Sequence, residues 1–203
     1  MEIFLVAAFS YSCGSIPFGL ILTKLFSGKD VRKIGSGNIG ATNVLRAGNK
    51  YLAFLTLILD ALKGYVPVII AIQYYPELIK LSALLVFLGH IFPIWIKFKG
   101  GKGVSTFLGI LLALSHGLTL LFIFTWISTT LIFKYSSLSS IFSSLTVFVV
   151  SFIKENMIKI IDPNISNFTD LKLLLFIFLI LIIFTHKKNI SNLINRTEQK
   201  IKL

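Results

Sequence analysis

Long stretches of apolar residues, almost free of charge, decide what this chain can fold into. They cover residues 3–26, 51–72, 81–98, 104–133, 141–153 and 171–185. A helix needs about 20 predominantly apolar residues to cross the hydrocarbon core of a bilayer. The chain is 55% hydrophobic and only 14% charged, whereas soluble domains carry roughly 25% charged residues. The pattern therefore predicts an all-α integral membrane protein in which residues 1–203 form a single domain.

Residues 104–133 decide how many spans are expected. As one helix they would exceed the roughly 30 Å hydrocarbon core by about half, whereas a break at residues 115–117 gives two shorter helices. With seven spans, the basic side chains collect on one side of the membrane, and the other side keeps only Lys80, Lys154, Lys159 and Lys172. Six spans would place the basic tail outside, against the positive-inside tendency. We therefore predict about seven transmembrane helices, with the N-terminus outside and the C-terminus in the cytoplasm.

The formal net charge of +12 does not indicate a nucleic-acid partner, because the basic residues cluster beside apolar stretches. The single cysteine, Cys13, lies inside the first stretch and provides neither a disulfide framework nor zinc spacing. Scattered histidines and carboxylates do not share a helix face, so we expect no metal and no cofactor. Glu2 near the N-terminus and the lack of an A-x-A site indicate that the first stretch remains as an anchor.

Residues 35–48, between the first two spans, are too rich in glycine and polar side chains for a plain connector. Glycines let backbone N–H groups turn toward an anion, while hydroxyls, amides and an arginine add donors suited to phosphate. The predicted ligand-binding residues here are Ser36, Gly37, Asn38, Gly40, Thr42, Asn43 and Arg46. The alternative is a flexible glycine-rich turn.

Residues 99–103 form a second basic, glycine-rich stretch, in which Gly101 and Gly103 flank Lys102. Glycine N–H groups beside a lysine are typical of a phosphate cradle, although the spacing is not that of a P-loop nucleotide site. A basic turn that contacts anionic lipid headgroups is the alternative.

The remaining polar groups fall inside spans or after the last one. Asp60 and Lys63 lie one turn apart on one helix face, and we expect them to neutralise each other in a structural role. His186 and Asn189 also share a face after the last span, and a serine cluster contains Ser137 and Ser140. With seven spans, both glycine-rich stretches, the serine cluster and the tail lie on the cytoplasmic side, where they can form one site. A solvated charged tail is the alternative.

Together these segments resemble the bacterial acyl-phosphate-dependent glycerol-3-phosphate acyltransferases, the PlsY family of integral membrane enzymes. The matching segments run nearly end to end and include residues 14–19 (G-S-I-P-F-G), 36–43 (S-G-N-I-G-A-T-N), 60–64 (D-A-L-K-G), 99–104 (K-G-G-K-G-V), His90, Ser137, Ser140, His186, Asn189 and Glu198. Two departures are visible. Arg196 and Gln199 stand where the family commonly has a glycine and a proline, and Lys134 stands where it has an arginine.

The resemblance implies a seven-helix, multi-pass protein of the bacterial cytoplasmic (inner) membrane whose site faces the cytoplasm. The implied reaction moves a fatty acyl group from acyl phosphate to the 1-position of glycerol 3-phosphate, giving lysophosphatidic acid and phosphate, the first step of phospholipid biosynthesis. Expected partners are these two substrates and membrane lipids, and a monomer is compatible with them. The implied catalytic residues are Ser36, Arg46, Lys102, His186 and Asn189. The implied substrate-binding residues are Gly37, Asn38, Gly40, Thr42, Asn43, Gly101, Gly103, Ser137, Ser140 and Glu198.

The sequence contains no Ser-His-Asp arrangement and no carboxylate clearly placed as a base. We therefore expect direct, substrate-assisted transfer without a covalent acyl-enzyme, in which a substrate phosphate oxygen accepts the hydroxyl proton, with His186 as the alternative base. A transporter of organic anions is the competing class, but such proteins usually repeat in two halves and bind near the midplane. A lipid-binding scaffold would not need so many donors. A CDP-alcohol phosphotransferase is excluded by the lack of its D-x-x-D-G cluster.

Overall fold

The computed structural model describes residues 1–152 and 168–201, with only the backbone of residues 168–170. This part of the chain is helical and contains no strand, as predicted. The helices are α1 (Glu2–Ser15), α2 (Phe18–Ser27), α3 (Ala41–Arg46), α4 (Lys50–Tyr74), α5 (Ile79–Ile91), α6 (Val104–Leu114), α7 (His116–Phe133), α8 (Ser136–Val150), α9 (Phe168–Thr185) and α10 (Lys187–Ile194). The chain divides into two compact units, Met1–Ala113 and Leu114–Leu203. The polar connection predicted for residues 154–170 lies mostly outside the described residues, but its last three residues, 168–170, already belong to α9.

By length and composition, four helical segments of the described chain can cross a membrane. They are Glu2–Ser27, Lys50–Tyr74, Pro76–Ile96 and His116–Phe133. A fifth is the pair Leu171–Thr185 and Lys187–Ile194 if this pair, bent by 60°, is counted as one span. The apolar helices α6 and α8 have 11 and 15 residues, fewer than the about 20 that a full crossing needs. The structure thus supports four to five spans, and seven remains a prediction.

The predicted break in residues 104–133 is confirmed. Helix α6 ends at Leu114, and α7 begins at His116. Between them, Ser115 has extended backbone angles, and its side chain accepts a hydrogen bond from the backbone N–H of Leu118 at 3.2 Å. Such a side-chain acceptor is a preferred N-terminal helix cap. The cap is therefore Ser115, and His116 is the exposed first residue of the helix that follows.

Small residues let the helices of the first unit approach closely. A methyl group at Gly14 would fall on the carbonyl oxygen of Val86, and one at Gly89 would fall near the carbonyl oxygen of Tyr11 at 2.5 Å. At the same crossing of α1 and α5, the hydroxyls of Ser10 and Ser82 are 2.9 Å apart and hydrogen-bonded. Membrane helices without bulky side chains at a crossing gain van der Waals contact between their backbones. This packing fixes the end of α5, on which the second glycine-rich stretch rests.

In the second unit, hydroxyl groups join α7 to α8. Thr130 donates a hydrogen bond to Ser139 at 2.8 Å, and the indole N–H of Trp126 donates to Ser140 at 3.1 Å. Buried hydroxyls between membrane helices are satisfied in this way because lipid offers no partner. The interface therefore holds the start of α8, where Ser137 lies.

Candidate active site

The first glycine-rich stretch is organised by the buried side chain of Asn43. Its amide nitrogen donates to the carbonyl oxygens of Val31 and Ile34, each at 2.9 Å, and of Asn38 at 2.7 Å. Its amide oxygen accepts the backbone N–H of Ser36 at 2.9 Å. A carboxamide offers two N–H groups and one acceptor oxygen, so its two hydrogens are shared among three carbonyls and both ends of this side chain are occupied. Asn43 therefore cross-links the loop through hydrogen bonds from its buried side chain.

Backbone N–H groups in this stretch are used by the loop itself. The N–H of Ser36 donates to Asn43, that of Gly37 to the carbonyl of Ile34 at 3.0 Å, and that of Gly40 to the side-chain oxygen of Asn38 at 2.9 Å. These three N–H groups therefore already have partners within the loop, and their contact with an anion stays a prediction. The side chain of Ser36 is exposed, and those of Thr42 and Arg46 are half-buried.

Glycine is required where the loop turns. Gly35 and Gly37 have φ angles of 54° and 73°, a region that side chains with a Cβ atom rarely adopt. A methyl group at Gly35 would also fall on the amide oxygen of Asn43 and would lie 3.6 Å from Cβ of Arg46. The aliphatic part of Arg46 therefore lies beside this turn, and the turn constrains the direction in which the Arg46 side chain leaves the backbone.

Asp30 is a loop carboxylate that is already occupied. Its Oδ2 is 2.6 Å from Nη2 of Arg32, and its Oδ1 accepts the backbone N–H of Arg32 at 3.0 Å. The hydrogen bonds from the Arg32 guanidinium hold the pKa of the Asp30 carboxyl well below its usual range. Asp30 therefore stays ionised at neutral pH and is unsuited to accept a proton from a substrate hydroxyl. The sequence did not single out this pair.

The second glycine-rich stretch lies on the end of α5. The N–H of Gly100 donates to the carbonyl of Ile91 and that of Gly101 to the carbonyl of His90, each at 3.0 Å. These are carbonyls of the last turn of α5, which have no partner inside the helix. Two glycine N–H groups predicted to cradle phosphate are therefore used to anchor the loop. Lys102 is half-buried between two buried glycines.

Gly103 completes this stretch and starts the next helix. Its φ angle is 82°, and a methyl group there would overlap the ring of Phe87. Its carbonyl accepts the N–H of Phe107 at 2.7 Å, which begins the hydrogen-bonding pattern of α6. The first N–H groups of an α-helix have no partner within it and favour an anion. Lys102 thus lies two residues before the start of α6, and the backbone beside it leaves no space for a residue larger than Gly103.

In the second unit, the carboxylate of Glu198 collects three side-chain donors. Its Oε1 accepts Ser137 Oγ at 2.8 Å and Asn189 Nδ2 at 2.7 Å, and its Oε2 accepts Asn192 Nδ2 at 3.3 Å. The structure thus brings Ser137, Asn189 and Glu198 together. Asn192 was missed, although it follows Asn189 by three residues and therefore shares its helix face.

The tail keeps a tight turn despite the missing glycine. Arg196 has a φ angle of 58°, the left-handed conformation that glycine favours at a helix end. The chain then returns, and the N–H of Ile201 donates to the carbonyl of Lys134 at 2.8 Å. Lys134 itself ends α7 in the same left-handed conformation. The substitution of Arg196 for glycine therefore does not prevent Glu198 from reaching Ser137.

His186 lies at the 60° bend between α9 and α10 and is buried. Its Nδ1 is 2.8 Å from the carbonyl oxygen of Ile182. A carbonyl only accepts, so Nδ1 carries the hydrogen, and Nε2 is the acceptor nitrogen of the neutral ring. That nitrogen is chemically able to accept a hydrogen bond or a proton from a hydroxyl.

Ser140 is placed differently from Ser137. It donates to the carbonyl of Ser136 at 2.8 Å and accepts the indole N–H of Trp126 at 3.1 Å, between α7 and α8. Its side chain is therefore engaged in helix packing. Among the described residues, no three His, Cys, Asp or Glu side chains form a group that could hold a metal ion.

Comparisons of the sequence with known proteins agree with one another. The sequence model of a family described as glycerol-3-phosphate acyltransferase matches residues 4–196. The chain is 49% identical over 203 residues to a glycerol-3-phosphate acyltransferase of Pelagibacter ubique (strain HTCC1062), covering 100% of both chains. It is 47% identical to one from Brucella anthropi, covering 95% of this chain and 90% of the relative.

Solved structures give the same result. The fold is similar to the crystal structure of PlsY (YgiH), an integral membrane glycerol 3-phosphate acyltransferase, in its glycerol 3-phosphate form. The TM-score is 0.88 at 33% sequence identity, covering 100% of this chain and 96% of that chain. The lysophosphatidic acid form of the same protein gives a TM-score of 0.87.

Proposed function

The chain belongs to the glycerol-3-phosphate acyltransferase family, and on that premise we propose that it acylates glycerol 3-phosphate with acyl phosphate as donor. The products would be lysophosphatidic acid and inorganic phosphate, the first step of phospholipid biosynthesis. The observation that carries the proposal is the pair of internally anchored glycine-rich loops. Each holds a half-buried cation, Arg46 in one and Lys102 in the other. Both substrates are phosphates, so fixed cations counter the repulsion between them.

We assign the phosphate contacts of the first unit to side chains and to the start of α6. Lys102 serves as a point charge for glycerol 3-phosphate, and Arg46 as a planar fork for phosphate. Ser36 and Thr42 add hydroxyl donors. Asn43, Asn38 and the glycines Gly35, Gly37 and Gly40 shape the first loop, because their polar groups or φ angles are committed to it. A charge-assisted hydrogen bond contributes about 1.5–3 kcal/mol.

In the second unit we assign His186 and Asn189 to the substrate hydroxyl and its surroundings. Glu198 and Ser137 hold Asn189 in place, since the Glu198 carboxylate accepts from both. Acyl phosphate is a mixed anhydride with a good leaving group, so transfer needs no acyl-enzyme. The C–O bond to phosphate breaks as the hydroxyl oxygen attacks the acyl carbon, and a phosphate oxygen takes the hydroxyl proton.

The donor assignment is tested by supplying purified protein with glycerol 3-phosphate and either acyl phosphate or acyl-CoA. We expect lysophosphatidic acid and an equal amount of inorganic phosphate from acyl phosphate, and no product from acyl-CoA. Both products are separated by chromatography and quantified. Formation of lysophosphatidic acid from acyl-CoA alone would contradict the assignment.

Replacing His186 with glutamine separates the two candidate bases. If a substrate phosphate takes the proton, the loss in kcat stays below about 100-fold, the lower end of what a general base contributes. The pH–rate profile then keeps its midpoint. A loss larger than this, with a vanished inflection near the ordinary histidine range, would instead identify His186 as the base. The profile is measured from steady-state phosphate release across the pH range in which the wild type is stable.

We further propose seven spans, with the N-terminus outside and the glycine-rich stretches in the cytoplasm. The support is the distribution of basic residues, which the positive-inside tendency favours on that side. Single-cysteine variants in a Cys13→Ser background test it with a membrane-impermeant thiol reagent on intact cells. Lys29→Cys and Asn195→Cys are expected to stay unlabelled until lysis, whereas Glu77→Cys is labelled at once. Labelling of Asn195→Cys in intact cells would contradict seven spans.

A further inference from the structure

A buried ion pair lies beneath the second glycine-rich stretch. Nζ of Lys63 is 2.7 Å from Oδ1 of Asp60, and both side chains are at most 3% exposed. The same Nζ donates to the carbonyl of Ile16 at 2.6 Å, where the chain breaks between α1 and α2. Charges inside a membrane span are costly, and they usually mark a functional element. The pair is self-neutralising, but neutralisation does not explain what lies next to it.

His90 connects this pair to the loop. Its Nδ1 lies 3.8 Å from Oδ1 of Asp60. On the other side of the ring, a methyl group at Gly101 would fall on Nε2. The backbone carbonyl of His90 accepts the N–H of Gly101 at 3.0 Å. One residue therefore contacts the ion pair through its ring and the loop through both ring and backbone.

The chemistry of His90 is unusual for a residue that only fills space. The ring is buried, and Nδ1 has no hydrogen-bond partner among the described residues. An unsatisfied buried polar atom costs about 1–3 kcal/mol, whereas an apolar side chain of similar size would avoid that cost. The imidazole of His90 therefore lowers stability relative to an apolar side chain, and it lies directly under Gly101, the residue before Lys102.

We propose that Asp60, Lys63 and His90 are positioning residues. They fix the distance of the Gly101 backbone from the end of α5 and thereby direct Lys102 toward the phosphate of glycerol 3-phosphate. The ion pair lies against one side of the buried His90 ring, and the other side of the ring supports the Gly101 backbone. This inference rests on the proposed function for its kinetic consequence. It concerns the acceptor substrate: disturbing the network raises KM for glycerol 3-phosphate and leaves KM for the acyl donor nearly unchanged.

The first experiment compares His90→Leu and His90→Gln with the wild type, in the purified full-length protein. His90→Leu is expected to raise KM for glycerol 3-phosphate about tenfold, with KM for acyl phosphate within about twofold. His90→Gln, which keeps a polar group facing Asp60, is expected to recover part of that loss. Thr56→Val is the matched control, because it removes a buried hydroxyl one turn from Asp60 whose partner is the carbonyl of Leu52. A KM for glycerol 3-phosphate within about twofold of wild type in His90→Leu overturns the proposal.

A second measurement does not require turnover. Amide hydrogen exchange of the Gly100–Lys102 segment is expected to quicken in His90→Leu and to stay at the wild-type rate in Thr56→Val. Unchanged exchange overturns the positioning role even if the enzyme assay behaves as expected. Faster exchange supports it even if acyl phosphate gives no product, which would count against the proposed function alone.

Should His90→Leu fail to fold, the double variant Asp60→Asn/Lys63→Met removes both charges together and is measured in the same way, with the same two outcomes.

Discussion

Replacing Gly101 with alanine is expected to lower kcat/KM about 100-fold or more while the protein still inserts and folds. The added methyl group would overlap Nε2 of His90, whose ring is buried and cannot swing away. The loop must therefore rise from the end of α5, which lengthens the 3.0 Å hydrogen bond between the Gly101 N–H and the His90 carbonyl. Lys102 follows directly, and misplacement of a catalytic group by about 1 Å can cost about 100-fold in rate.

Gly28→Ala is the control for this prediction. Gly28 ends α2 with a φ angle of 62°, and a methyl group there would meet nothing within 4 Å. The change introduces backbone strain of roughly 1 kcal/mol but no steric overlap, so activity is expected to stay within about twofold. Steady-state rates are compared at equal amounts of folded protein, judged by size-exclusion chromatography in detergent. Wild-type activity in Gly101→Ala would show that the loop does not depend on its contact with His90.

Composition identified both glycine-rich stretches, and it did so for a physical reason. Tight turns at positive φ and contacts that leave no space for a Cβ atom can use only glycine, so these positions are visible in the sequence. The use of the N–H groups was not visible. The N–H of Ser36 meets a side chain seven residues away, and that of Gly101 meets a carbonyl of the preceding helix. Such partners are set by tertiary packing, which local composition does not report.

The helix pattern shows a similar division. The break at Ser115 was predicted because a 30-residue helix does not fit a bilayer core of about 30 Å, and the structure caps α7 there. The count of spans does not follow as directly, since α6 and α8 have only 11 and 15 residues. Apolar length alone does not distinguish a short crossing helix from one buried in a bundle.

Single residues also mislead when they are considered alone. Arg196 stands where the family commonly has a glycine, yet it adopts the left-handed conformation that glycine favours, and the turn remains. Ser137 and Ser140 belong to one serine cluster, but Ser137 donates to Glu198 whereas Ser140 contacts Trp126. The two serines lie three residues apart and therefore on nearly the same helix face, so the neighbours that each side chain meets, and not the spacing, decide its role.

Replacing Lys102 with methionine is expected to lower kcat/KM for glycerol 3-phosphate by about 100- to 1000-fold. Methionine keeps a similar apolar stem and removes the charge. Lys102 lies two residues before the start of α6, where the helix dipole and the first N–H groups also favour an anion such as phosphate. In a half-buried setting such a donor, aimed at charge that grows as the acyl group transfers, contributes roughly 2.7–4 kcal/mol.

Lys99→Met is the matched comparison, because Lys99 lies three residues earlier in the same loop and is exposed. An exposed charge acts through a screened field, so its removal is expected to change kcat/KM less than about threefold, and less still at high salt. The two variants carry the same net charge and therefore separate specific contact from general attraction of an anion. If both lose activity equally, and added salt removes the difference from wild type, Lys102 only enriches substrate near the surface. If Lys102→Met alone loses activity and salt does not restore it, the lysine binds the phosphate directly.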